Sequence, residues 1–144
     1  MAYSLQLTNE ANTQDEKAVF DGLLAFNVQY VGPDNYQPLN IYLRDESGTI
    51  VGGLLGITFW GWLFVSILWV SEALRGQDYG STMIKMAEAE AVQRGCKNVY
   101  LDTLSFQALD FYRKLGYSVY GQLANFPEGH TRYFLTKPLD HDLG

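Results

Sequence analysis

"LRGQDYGSTM", Leu74 to Met83, joins a long apolar run to a helical pattern, with Gly76 and Gly80 at the junction. A strand, a short glycine-containing loop and a helix N-terminus together form a general anion cradle. The helix offers free N–H groups and the positive end of its dipole. Glycine lets the main chain approach a ligand or take a positive φ. The stretch is not a Walker loop, because no G-x-x-x-x-G-K-[ST] is present. Nor does a G-x-G-x-x-G follow a first strand, so a dinucleotide fingerprint is missing too. The fold therefore turns on what the apolar run before the loop is.

That run, Ile50 to Val70, contains no charged residue and is long enough to cross a bilayer. It is nevertheless rich in β-branched and aromatic residues and interrupted by Gly52, Gly53, Gly56 and Gly61. Phe59-Trp60-Gly61-Trp62 reads as a turn, and the acidic and mixed flanks carry no basic cluster to set an orientation. Two buried strands, 49–59 and 62–70, explain all of this. Outward from them, 3–8 alternate like a strand, and Thr13-Gln-Asp-Glu resembles a capping box with Thr13 as N-cap. The helix it opens carries Val19, Phe20, Leu23, Leu24 and Phe26 at helical spacing. A strand is expected over 39–44. A helix is expected from Tyr79 or Gly80, with Met83, Ala87 and Ala91 on one face and Gly95 just past its end. A strand near 99–104, a helix over 106–115 stopped by Gly116, and strands 118–123 and 132–136 follow. The order β-α-β-β-β-α-β-α-β-β predicts one α/β (α+β) domain over residues 1–144, on a mixed, mostly antiparallel sheet flanked by helices.

Net charge is −6, against a nucleic-acid partner, which needs clustered Lys and Arg. Cys96 is the single cysteine, so no intrachain disulfide forms and a reducing, cytoplasmic setting is expected. The first residues show no signal-peptide pattern, and no membrane association is expected. No Cys/His cluster suggests a metal. Exposed aromatics are compatible with a homodimer.

Val70-Ser-Glu-Ala-Leu-Arg-Gly-Gln-Asp-Tyr-Gly-Ser resembles motif A, R/Q-x-x-G-x-G/A, of the GCN5-related N-acetyltransferase (GNAT) family. Arg75 takes its first position and Gly80 its last glycine, while Asp78 stands where the middle glycine is usual. Ser105-Phe-Gln-Ala108-Leu-Asp-Phe-Tyr112-Arg-Lys-Leu-Gly116-Tyr117 resembles motif B, N-x-x-A-x-x-x-Y-x-x-x-G-[FY], with Ser105 in place of Asn. The resemblance implies a central sheet splayed in a V, with acetyl-CoA as cofactor. It places the pyrophosphate on the loop of Arg75, Gly76, Gln77, Asp78, Tyr79, Gly80 and Ser81. It lays the pantetheine arm along Leu68, Trp69 and Val70, with Ser105, Ala108 and Phe111 on the far side. It makes Tyr112 the proton donor to the leaving thiolate.

Glu72, the nearest carboxylate to the strand end, is the candidate base, directly or through water. Plainer roles compete. Tyr112 reads equally as a packed helix aromatic, Glu72 as a solvated loop acid, Arg75 as a surface cation, and Ser81 and Ser105 as helix caps. Asp102 is either a solvated strand end or a substrate acid. His130 and Glu128 lie in a loop where the family often shapes its acceptor pocket. Asp78 is expected to face solvent or to cap the helix. The activity implied is acetyl transfer from acetyl-CoA to a small primary amine by direct attack in a ternary complex. A protein amine as acceptor, or a non-catalytic acyl-CoA-binding module, are the alternatives.

Overall fold

A computed structural model describes residues 2–139. The chain divides at Asp34 and Asn35 into two units. In the first, α1 runs over Thr13–Val31. Its cap is Asn12, one residue before the expected Thr13: Asn12 accepts from the N–H groups of Gln14 and Asp15 at 3.0 and 3.1 Å. This satisfies two first-turn donors that have no partner within the helix. Residues 2–7 form no strand, which corrects the expected first element. Alternation gives a segment two faces, but it does not supply the neighbour that a strand needs for its hydrogen bonds. No residue of α1 is buried, and its apolar Val19, Phe20, Leu23 and Phe26 are exposed.

The second unit holds the other elements in the expected order: β1 (Gln37–Arg44), β2 (Ile50–Phe59), β3 (Trp62–Val70), a 3-10 turn (Glu72–Leu74), α2 (Tyr79–Gln93), β4 (Asn98–Leu104), α3 (Leu109–Lys114), β5 (Ser118–Ala124) and β6 (Thr131–Pro138). They build a six-stranded sheet in the order β1-β2-β3-β4-β6-β5. All pairs are antiparallel except β3 with β4, joined through α2 as a parallel pair requires. The apolar run is thus a hairpin: Trp60 and Gly61, at φ 46° and 78°, form a two-residue turn that matches strand twist.

Two devices shape the ground for a site. The first is a bulge. Leu55 pairs with Ile67 but Gly56 with Val65, leaving Ser66 unpaired on β3. The extra residue flips the strand's parity: Leu63 and Val65 face the core before it, Leu68 and Val70 pack on the core after it, and Ile67 and Trp69 turn outward. The second is a pair of matching helix ends. Gly116, at φ 98°, bonds Arg113 O and Tyr117 N bonds Tyr112 O, closing a Schellman motif. Its accompanying apolar contact is Tyr112 against Tyr117, with ring centres 5.7 Å apart. The Y-x-x-x-x-Y spacing of the α3 segment is therefore a helix stop whose two aromatics pack together. The α2 end repeats the motif with Gly95, between buried Ala91 and Cys96. Glu88 of α2 binds this corner down, accepting from the Tyr117 hydroxyl (2.7 Å) and from Lys137 Nζ (3.0 and 3.2 Å).

Candidate active site

The β3–β4 ladder lasts only from Trp62/Asn98 to Val65/Leu101. Beyond it the strands part: Ser66–Val70 stays on β2, and Asp102–Leu104 stays on β6. The gap is the V expected of the sheet. It opens a cavity of about 1230 Å³, lined by the end of β3, the loop into α2, the end of β4 and α3. Among the described residues, the edge of Ser66–Val70 on that side has no strand beside it. Free main-chain donors and acceptors along such an edge accept an extended ligand as an added strand.

The loop from Ser71 to Ser81 closes one end. Arg75 Nε donates to Val70 O at 3.2 Å, tying the guanidinium to the strand end. Asp78 is the residue before α2 and is left-handed, at φ 65° and ψ 15°. That conformation explains why glycine is the usual occupant, and Asp is one of the few other residues that tolerate it. Of the two expected orientations, the exposed one holds: the Asp78 side chain makes no capping bond and faces solvent. Its carbonyl instead accepts from Thr82 N (3.0 Å), Thr82 Oγ1 (2.8 Å) and Ser81 Oγ (3.1 Å). Ser81 is inside the helix and does not cap it. The first-turn N–H groups of α2 are therefore left without a side-chain cap, at the positive end of a 15-residue helix beside the cavity. Gly80 is what lets that turn come close. A Cβ there would lie 3.3 Å from the Phe111 ring and 4.0 Å from Leu68.

The helix α3 closes the other side. It is shorter than expected, starting at Leu109, because the four residues after β4 are pinned in a loop. Gln107 Oε1 accepts from Leu104 N (2.9 Å), and Ala108 N donates to Thr103 Oγ1 (3.3 Å). Ser105 does not cap α3 either. It pairs with Thr131 through N–H to Thr131 O (2.8 Å) and Thr131 N to Oγ (3.1 Å), bracing the β5–β6 loop. Tyr112 is 5% exposed, its ring edge-on to Phe111 at 5.1 Å. Among the described residues its hydroxyl has no hydrogen-bond partner, yet no buried polar atom is left unsatisfied, so the oxygen meets the cavity. Burial first, and the Asp102 charge second, push the Tyr112 pKa up to about 12.

Of the expected site residues, Leu68, Trp69, Val70, Arg75, Gly76, Asp78, Tyr79, Gly80, Ser81, Ser105, Ala108, Phe111 and Tyr112 all line this one cavity. Gln77 and Glu72 do not. The Gln77 amide turns to Ala73 O at 3.5 Å, and Glu72 is exposed on the 3-10 turn. His130 sits edge-on to Phe106 at 4.8 Å, with Nδ1 3.5 Å from Ser105 Oγ. The sequence reading left out Arg132, whose Nε and Nη2 both reach Asp102 Oδ1, at 2.9 and 2.6 Å. Only the register, which sets Arg132 opposite Leu104 and so diagonal to Asp102, brings the two together. Cys96 is buried and its thiol is pushed up by burial, so it is packing. Among the described residues no group of side chains could hold a metal ion, and no helix is long and apolar enough to cross a membrane.

The acetyltransferase (GNAT) family profile matches residues 5–117. Acetyltransferase Atu2258 of Agrobacterium fabrum is 38% identical over 131 residues, covering 91% of this chain and 96% of that one. The blasticidin-S acetyltransferase of Streptomyces morookaense is also 38% identical, covering 72% of this chain and 79% of its own. The crystal structure of an acetyltransferase from Bacillus cereus superposes with a TM-score of 0.81 at 28% identity, over 93% of this chain and 98% of that one.

Proposed function

The chain belongs to the acetyltransferase (GNAT) family and is an acetyl-CoA-dependent N-acetyltransferase; on that premise we propose that its acceptor is a small-molecule primary amine, acetylated by direct attack in a ternary complex. The observation that carries the reading is the convergence, in one cavity, of an open strand edge, an uncapped helix N-terminus and an unpartnered tyrosine hydroxyl. These fit the cofactor. The Leu68–Val70 edge suits an amide-bearing pantetheine arm. The Arg75–Ser81 main chain, including that of Gln77, suits a pyrophosphate, and Ser105, Ala108 and Phe111 close the opposite wall.

Bound acetyl-CoA supplies a thioester whose carbonyl an amine attacks and whose sulfur leaves with the bonding electrons. The protein's part is placement, which supplies most of the acceleration, and charge stabilisation by a main-chain N–H near Val70. With its pKa near 12, Tyr112 keeps its proton throughout the neutral range and holds it in the cavity for the leaving sulfur. Glu72, outside the lining, serves as base only through water. No cysteine is placed for a covalent acetyl-enzyme, since Cys96, the single cysteine, is buried away from the cavity lining.

A small acceptor is supported by the likeness to a blasticidin-S acetyltransferase and by the acidic balance, which favours cations. The test is thiol release from acetyl-CoA with blasticidin S, spermidine, an aminoglycoside and lysine- or N-terminus-bearing peptides. Turnover confined to small amines is expected. A preference for the peptides overturns the acceptor class, and tight CoA binding without any turnover would make the chain an acyl-CoA-binding module.

A further inference from the structure

The cavity passes through the sheet, and its two mouths differ. On β4, Leu101 and Thr103 face the core, so Asp102 points to the opposite face. On β6, Leu135 and Tyr133 pack on the core, so Arg132 and Phe134 share the face of Asp102. On β3, past the bulge, Leu68 and Val70 pack on the core and Ile67 and Trp69 turn to that same outer face. The core-side mouth therefore holds Gly80, Phe111 and Tyr112, the side assigned above to the cofactor. The outer mouth holds Ile67, Trp69, Asp102 and Arg132, which all line the cavity, while the other carboxylates of the lining, Asp78 and Asp110, belong to the residue before α2 and to the first turn of α3.

Asp102 is held in an unusual way. Both Arg132 contacts fall on Oδ1, at 2.9 and 2.6 Å, and among the described residues Oδ2 accepts nothing. The Arg132 guanidinium is itself fixed over the Phe126 ring, 4.5 Å from its centre, and beside Phe134 at 5.8 Å. The carboxylate is thus aimed by a clamped partner, with its second oxygen open. Both side chains are partly buried, at 20% and 30% exposed, where a charge-assisted hydrogen bond counts for more than on the surface. The Asp102 charge also reaches the Tyr112 hydroxyl, as two groups facing one cavity should show.

We propose that Asp102 is the acceptor-binding carboxylate: its Oδ2 accepts a hydrogen bond from the cationic amine entering the outer mouth, and Arg132 is the positioning residue that aims it. The inference rests on the acetyltransferase reading and narrows its substrate class to acceptors that are cationic when they bind. Recognition by a single carboxylate oxygen in a cavity that Ile67 and Trp69 also line selects an ammonium carried on an apolar stem. No proton need pass to Asp102, because the amine can shed its proton to water once held.

The experiment compares wild type, Asp102→Asn, Asp102→Glu and Arg132→Lys on two kinds of acceptor. Spermidine and blasticidin S are the cationic probes, and an aromatic hydrazide, uncharged at pH 7, is the neutral one. Asp102→Asn should lower kcat/KM for the cationic probes by about ten- to hundredfold, mainly through KM, while the neutral probe changes less than threefold. Asp102→Glu should recover part of the loss. Arg132→Lys should raise KM for the same probes by a smaller factor. CoA affinity by calorimetry and the melting temperature verify that the variants are folded. Spermidine titrated into the CoA complex gives a second readout free of turnover, and Asp102→Asn should bind it at least tenfold more weakly. Equal losses for charged and neutral acceptors, or unchanged spermidine binding, would overturn the assignment. Absence of turnover by wild type on every amine would instead sink the acetyltransferase reading, leaving the binding titration to judge Asp102.

Discussion

The two halves of β3 are equally apolar in sequence and opposite in use. Between Trp62 and Val65 the strand is laddered on both sides, and Leu63 and Val65 are 0% and 3% exposed. Past Ser66 it keeps β2 but loses β4, and Ile67 and Trp69 are 53% and 48% exposed. Hydrophobicity cannot distinguish the halves, because each carries Trp, Leu and Val, with Phe64 in one and Ile67 in the other. The distinction is made by one extra residue and by where the neighbouring strand turns away. Gly56, opposite the bulge, shows how tight that point is: a Cβ there would lie 2.8 Å from Phe64 O. A paired half builds stability. An unpaired half leaves main-chain groups for a ligand to satisfy, and there the chemistry collects.

The sharpest way to break this division is to remove one atom from the cavity that the open half lines, on the α3 side. Tyr112→Phe should lower kcat by roughly 10²- to 10⁴-fold while changing acetyl-CoA affinity by less than about threefold. Steady-state kinetics and calorimetry decide it, and an unchanged kcat would take Tyr112 out of the proton-donor role. The same variant carries a stability signature. In the fold the Tyr112 pKa is near 12 and in the unfolded chain near 10, so the neutral ring's contribution is complete below pH 10 and is lost as pH rises through 12. The loss for wild type is about 2–3 kcal/mol over that window. The phenylalanine variant should therefore lose less stability than wild type between pH 10 and pH 12. The closed half, where Val65 pairs with Leu101 of β4, should respond in stability instead. Leu101→Ala, at a position 1% exposed, should cost about 2–5 kcal/mol of unfolding free energy. Its KM for either substrate, measured per folded molecule in mild conditions, should stay near wild type. A large KM change there would mean the closed half also contacts ligand.

Much of the frame around this division, though not the division itself, is legible in the sequence. The hairpin, the β3 end, the α2 start at Tyr79 and both glycine stops were written in local turn and cap chemistry, which acts over a few residues. What was not legible depended on pairing. Residues 3–8 alternate correctly, but alternation does not supply a neighbouring strand. Glu72 was favoured as base because it is near the β3 end in sequence, and the 3-10 turn carries it out of the lining. Asp102, a carboxylate that does line the cavity, owes its orientation to Arg132, thirty residues away and visible only through the β4–β6 register. Ser105 and Ser81 looked like caps because serine usually is one near a helix start. Their hydroxyls were already committed to Thr131 and to the Asp78 carbonyl.

A smaller effect separates the two supports of the open half, the strand edge and the helix end. Gly80→Val places branched carbons against Phe111, whose ring already lies 3.3 Å from where a Cβ would sit. The α2 N-terminus should shift by a few tenths of an ångström, weakening CoA binding by about tenfold and costing about 1–3 kcal/mol in stability. Gly80→Ala should do the same to a lesser degree. Unaltered CoA affinity in the valine variant, measured by calorimetry, would mean that the helix end does not hold the pyrophosphate and that the strand edge carries the cofactor alone.

The smallest effect lies at Asp78, where backbone and charge pull in different directions. Its left-handed φ of 65° suits glycine better than aspartate, so Asp78→Gly should relieve strain in the loop. Against that, glycine enlarges the conformational freedom of the unfolded chain, and the two effects should leave stability within about 1 kcal/mol of wild type. The carboxylate itself faces solvent without a capping bond, yet it stands at the N-terminus of α2, where an anionic ligand is expected. Removing it should leave CoA affinity equal or raise it by up to about threefold at low salt, and the gain should fade as added salt screens the exposed charge. Calorimetric titrations at two ionic strengths test both the sign and the fading. A loss of affinity that salt does not touch would show that Asp78 fixes the loop's conformation for the ligand, and the open half would then owe part of its order to the residue that departs from the family's glycine.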